Sequence, residues 1–150
     1  MNDTLSFLIK PLDDHGPEVL TLTPVINEIP LTVLLENFER EHDMDPAGGY
    51  GGLVPDFFRY GPLDRYFLGQ AEGEFFKNNG EYYLLACQCG EVGCWPLSAR
   101  ITVTDTNVIW NRFGQEHRRE RDYSGFGPFT FKLHPYKKTI ADIAARFAGE

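Results

Sequence analysis

The chain has 150 residues, 42% of them apolar, 24% charged and 14% aromatic, a composition that suits a single globular domain over residues 1–150 and is too apolar for a disordered chain. Twenty-two acidic residues against fourteen basic ones leave a net charge of -8, which speaks against nucleic acid as a partner, because phosphate binding needs a basic footprint. No apolar run approaches the roughly 20 residues of a membrane span, and the opening Met1-Asn2-Asp3-Thr4-Leu5-Ser6-Phe7 lacks the basic region and cleavage site of a secretory signal, so the expectation is a cytoplasmic protein with no membrane partner.

The elements follow in chain order. Leu5–Ile9 reads as a strand, closed by Pro11 and the turn-forming Asp13-Asp14-His15-Gly16-Pro17, and residues 19–23 alternate as a second strand that completes a hairpin. Leu31, Leu34, Leu35 and Phe38 recur at helical spacing after Pro30, which predicts an amphipathic helix over residues 30–41. Pro46 to Pro62 carries five glycines and is expected to be a long, close-packed or mobile loop. Residues 81–89 form an apolar strand, Gly90–Gly93 a turn, residues 94–103 the return and residues 108–113 a third strand after Thr104–Asn107. Tyr83, Leu85, Ile101, Val103 and Trp110 are the expected core of this three-stranded meander. Phe129–Phe131 is a further short strand. Pro135 then starts a helix with Tyr136, Ile140, Ile143, Ala144 and Phe147 on one face. The fold class is therefore α+β: an antiparallel sheet with a central three-stranded meander, packed by two helices.

Charge is placed unevenly. Residues 1–50 hold ten acids and two bases, whereas residues 101–150 hold six acids and eight bases. Glu36, Glu39, Glu41, Asp43 and Asp45 lie on or just beyond the first predicted helix, and they are the candidate protein-binding residues, a negative face for a basic partner. Opposite potentials raise encounter rates and fix orientation. All three cysteines, Cys87, Cys89 and Cys94, fall within eight residues. They give an alternative reading, a zinc site or metalloenzyme in which His117, His15 or His42 supplies a fourth ligand to a tetrahedron. A redox pair across the turn and three buried structural thiols are the other readings of that segment. Otherwise no cofactor is implied.

Enzyme signatures are absent from the remaining motifs. Ala47–Leu53 is glycine-rich but lacks the glycine spacing of a dinucleotide fingerprint, having Val54 where the third glycine belongs, and it lacks the Gly-Lys-Ser/Thr of a phosphate loop. Ser124 has no glycine two residues before it and is no nucleophile elbow. Gln115–Tyr123 interleaves three arginines with three acids, the pattern of a solvated, salt-bridged connection.

The run Tyr83–Leu97, with its Cys-x-Cys-Gly-x-x-Gly-Cys-Trp-Pro-Leu core, resembles a group of small bacterial proteins. Asp122–Phe129 and the aromatic-led helix at Tyr136 resemble the same group, chiefly from Gly49 onward. The resemblance implies a bacterial single-domain protein and assigns no site. The reading that combines these features is a non-enzymatic protein-binding domain, of the kind that neutralises a basic toxin. A small-molecule binder built on the aromatic loops is a third.

Overall fold

The computed structural model describes residues 2–12, 18–55, 62–70, 81–87, 96–115, 118 and 120–147. The first hairpin forms as its alternating apolar runs require: β1 (Leu5–Pro11) pairs antiparallel with β2 (Leu20–Ile26), placing Ile9 opposite Leu22. A two-residue turn at Asn27 and Glu28, both with positive φ (53° and 70°), returns the chain to β3 (Ile29–Pro30). Left-handed pairs of this kind match the twist of a hairpin. Asn27 is held there by its own polar groups: its amide N–H donates to the Thr4 carbonyl at 3.0 Å, and its Oδ1 accepts the Thr4 N–H at 2.9 Å.

Pro30 caps α1 (Leu31–Glu41), where its fixed φ and missing N–H do no harm. The buried stripe is Leu31, Leu35, Phe38 and Glu39, with Leu34 only half-buried. The helix is thus rotated from the face that leucine spacing suggests, so that a carboxylate points inward. The glycine loop contributes the short β4 (Tyr50–Gly51), and α2 (Leu63–Tyr66) is a single helical turn that periodicity does not announce.

The meander is present as β5 (Glu81–Cys87), β6 (Leu97–Val103) and β7 (Asn107–Gly114), followed by β8 (Phe129–Lys132) and α3 (Leu133–Phe147). In β7 Arg112, at φ 54°, is the extra residue of a bulge between the Ser98–Gly114 and Arg100–Asn111 pairs. The bulge shifts the alternation by one residue and lets both Trp110 and Phe113 face the core. Leu85, Ile101 and Trp110 are buried and Tyr83 half-buried, but Val103 is 38% exposed. It ends β6 beside the turn, and β5 starts only opposite Arg100, so no described strand covers it on that side.

The fold is α+β with antiparallel pairing and a central meander, as expected, and its strands divide into two sheets, β1-β2-β3 and β4-β5-β6-β7-β8. They are joined at both edges of the larger one. Leu22 and Leu53 exchange backbone hydrogen bonds of 2.7 and 2.9 Å beside β4, and the Asp3 N–H reaches the Thr130 carbonyl in β8 at 2.7 Å. Two isolated bridges thus tie the smaller sheet to both edges of the larger one. Gly52 makes the first bridge possible: a Cβ there would lie 2.8 Å from the Leu22 backbone. The glycine loop is close-packed at this point.

One cluster of buried side chains fills the described part of the molecule. At its centre Trp110 Nε1 donates to the Tyr136 hydroxyl at 3.0 Å, and that hydroxyl donates to the Phe67 carbonyl. One oxygen thereby ties β7 and α3 to the end of α2. Helix α1 packs on β2 and β3, whereas α3 packs on α2, β1, β7 and β8.

Candidate functional site: the end of helix α1

Glu39 organises the end of α1. Its Oε1 accepts the Gly48 N–H at 2.8 Å, and its Oε2 accepts the Tyr50 and Tyr123 hydroxyls, each at 2.6 Å, together with Arg121 Nη1 at 3.1 Å. Gly48 adopts φ +78°, a conformation that favours glycine, and this aims its N–H at the carboxylate. Arg121 also donates through Nη2 to the Pro46 carbonyl at 2.8 Å. Burial, followed by the hydrogen bond to Glu39, pushes the Tyr50 hydroxyl far above the usual tyrosine range, and burial raises Tyr123 as well. Both phenols therefore stay protonated and act as donors. Burial works against the Arg121 charge, but its hydrogen bond to Tyr123 and the nearby Glu39 charge outweigh this and raise its pKa.

A fully buried carboxylate that already accepts four hydrogen bonds from protein donors is not presented to a substrate or a metal ion. The cluster instead clamps three segments: α1, the glycine loop and the stretch 121–123. Aromatic rings continue the clamp. Phe38 stacks on His42 at 4.0 Å and meets Phe126 edge-on at 5.2 Å.

The clamp corrects one sequence expectation. Glu39, placed by helical spacing on an exposed acidic side, is fully buried (0% exposed) and cannot meet a partner. Glu36 is half-buried and pairs with Arg40 at 3.0 Å, one turn along the helix. That leaves Glu41, Asp43 and Asp45 exposed at the end of α1, and among the described residues none of them forms an ion pair. Asp122 lies close by. Its Oδ1 accepts the Ser124 N–H at 2.9 Å, and hydrogen bonding from Ser124 lowers its pKa, with the nearby His42 contributing. Of the 115–123 stretch, expected to be a solvated, salt-bridged connection, the described residues Gln115 and Tyr123 are buried and Arg121 forms its ion pair in the interior, with its side chain 8% exposed.

Of the alternative metal ligands, Cys89, Cys94 and His117 lie outside the described residues, as does the Cys87 side chain; the Cys87 backbone ends β5 opposite Tyr50. Among the described residues no three His, Cys, Asp or Glu side chains gather closely enough to hold a metal ion. No helix among them is long and apolar enough to cross a membrane. Comparison of the chain with protein-family models, curated proteins and solved structures gives no match.

Proposed function

We propose that this protein is a non-enzymatic binding domain that recognises a basic protein through the acidic surface of Glu41, Asp43 and Asp45. Neutralisation of that partner, as an antidote neutralises a toxin, is the role we assign to it. The observation that carries the reading is the exposure of these three carboxylates without ion-pair partners among the described residues, at and just beyond a helix end fixed by the Glu39 clamp. A surface held in place before encounter loses less freedom on binding, and its unneutralised charge steers a cationic partner. Concentration of the whole net charge in the first third of the chain supports the same reading.

The test is association kinetics with basic proteins encoded beside this one, at two ionic strengths. The wild type is compared with the variant Glu41→Gln/Asp43→Asn/Asp45→Asn. The on-rate should fall about tenfold or more on neutralisation and again on raising salt, since screening at 1 M shortens the Debye length to about 3 Å. A cognate partner whose on-rate ignores both changes would overturn the proposal.

A further inference from the structure

Two adjoining cavities flank the junction of β8 and α3, apart from the acidic surface. The larger has a volume of about 470 Å³ and the smaller about 380 Å³, and they share Asn2, Lys132 and Pro135 in their walls. We infer that together they form a binding site for a small organic carboxylate, whose charged head meets Lys132 and Lys137 and whose apolar body lies on Leu133, Pro135 and Leu5.

The charge pattern is the first support. In a protein of net charge -8, Lys132 and Lys137 face one cavity, with Asp105 the only acid among the described residues of its lining. Neither lysine forms an ion pair among the described residues. The smaller cavity holds Asp3, hydrogen-bonded to the Thr130 N–H and an Asn27 amide proton at 2.9 Å but still charged, so the apolar body belongs there and the carboxylate head in the larger cavity, where two lysines face one acid. The start of the 15-residue helix α3 adds its partial positive charge to the same place.

The walls are also built. The Leu133 N–H donates to the Thr106 carbonyl at 2.9 Å, and Asn107 Nδ2 reaches Asn2 Oδ1 at 3.3 Å and the Phe131 carbonyl at 3.4 Å. These bonds fix the turn between β6 and β7 against the β8–α3 junction. The volumes fall within the range of ordinary ligand sites, roughly 300–1,000 Å³. Leu133, Pro135 and Leu5 offer an apolar lining that a bare inorganic anion would leave unused, which favours a carboxylate carrying a hydrocarbon body.

Titration of isotope-labelled protein with hexanoate, followed by amide chemical shifts, tests this. Saturable shifts confined to residues 2–5, Thr106, Asn107 and residues 131–137, which line the two cavities, are expected. Inorganic phosphate and 1-hexanol should each bind at least about tenfold more weakly, since each supplies half of the recognition. Lys132→Ala/Lys137→Ala, at two exposed positions, should weaken hexanoate by a similar factor and leave the shifts of α1 in place. Equal binding of phosphate would reduce the site to general charge attraction, and equal binding of hexanol to an apolar patch. Either result overturns the inference, as do shifts dispersed over the surface or undiminished hexanoate binding by the double variant. The phosphate and hexanol comparisons use the wild type and do not depend on the variant folding.

Discussion

Glu39 and Arg121 lie 82 residues apart in the chain and meet at 3.1 Å with their side chains 0% and 8% exposed. Removing two charges from water costs several kcal/mol per ion, and attraction repays this only where the remaining donors and acceptors are also satisfied. Here they are. Tyr50, Tyr123 and Gly48 complete the carboxylate, while Pro46 receives the second guanidinium nitrogen. The pair fixes how the end of α1 sits against the glycine loop and the 121–123 segment.

Glu39→Ala should accordingly destabilise the protein by about 3–5 kcal/mol, because it leaves a buried guanidinium without its counter-charge. Glu39→Gln should fall between, since one of its two terminal atoms must now point a donor at other donors. Denaturant unfolding of Glu39→Ala, Arg121→Ala and the double variant measures the coupling. Residues joined in one network should couple by at least about 0.5 kcal/mol. Additive losses would show that each side chain acts alone.

The burial of Glu39 was not legible in the sequence, and the reason is physical. Leu31, Leu34, Leu35 and Phe38 state an apolar face, and position 39 borders it, where small helix rotations decide between core and solvent. What turns the helix are Tyr50, Arg121 and Tyr123, distant in sequence and following no period. The first hairpin, the meander, β8 and the stripe Tyr136–Ile140–Ile143 of α3 were legible because each repeats at period 2 or 3.6. Helix α2 is too short to show a period, and β4 spans two residues. The exposure of Glu41, Asp43 and Asp45 follows the sequence expectation, whereas the pairing of Glu36 with Arg40 trims the acidic face at its other end.

Tyr136→Phe removes one atom and strands two buried groups, Trp110 Nε1 and the Phe67 carbonyl. Each unsatisfied group costs about 1–3 kcal/mol, so a loss of about 2–6 kcal/mol is expected from equilibrium unfolding in urea, with the m-value unchanged. A loss below about 0.5 kcal/mol would mean that water replaces the hydroxyl.

Alkaline pH should act through the same hydroxyl. Burial raises the Tyr136 pKa well above its ordinary value near 10. Above pH 10 the unfolded chain then releases a proton that the native state keeps. Stability from this group is fully present below pH 10 and declines as pH rises, by up to about 1.4 kcal/mol per pH unit. The stability difference between wild type and Tyr136→Phe should therefore shrink from pH 9 to pH 11. Parallel stability curves over that interval would contradict a buried, protonated Tyr136.

Two glycines separate crowding from backbone strain. A Cβ on Gly52 would lie 2.5 Å from Thr23 Oγ1 and 2.8 Å from the Leu22 carbonyl carbon and oxygen, so backbone must move and the Leu22–Leu53 bridge is disturbed. A Cβ on Gly48 would meet the end of the Glu36 side chain, which can swing away, leaving the cost of a positive φ of roughly 1–2 kcal/mol. Gly52→Ala should therefore cost more than Gly48→Ala, by thermal or urea unfolding. The Glu36→Ala background should relieve Gly48→Ala only in part, because shortening that side chain leaves the φ strain unchanged.

The acidic surface should be nearly silent in stability. Glu41, Asp43 and Asp45 are exposed and unpaired among the described residues, so neutralising them breaks no ion pair, and mutual repulsion of like charges near one another is relieved. Asp43 needs one precaution. It adopts φ 57°, a left-handed conformation that asparagine tolerates and lysine resists. Asp43→Asn removes the charge and keeps the backbone, whereas Asp43→Lys would mix strain with electrostatics. The triple variant Glu41→Gln/Asp43→Asn/Asp45→Asn should lie within about 0.5 kcal/mol of the wild type in 0.15 M salt, and equal or exceed it at low salt, where repulsion is least screened. Glu39→Gln, one turn away, should be destabilising at every ionic strength, since its partners are buried and little screened. A triple variant losing more than about 1 kcal/mol would show that these carboxylates hold the fold together, and a loss of partner binding could then no longer be assigned to recognition.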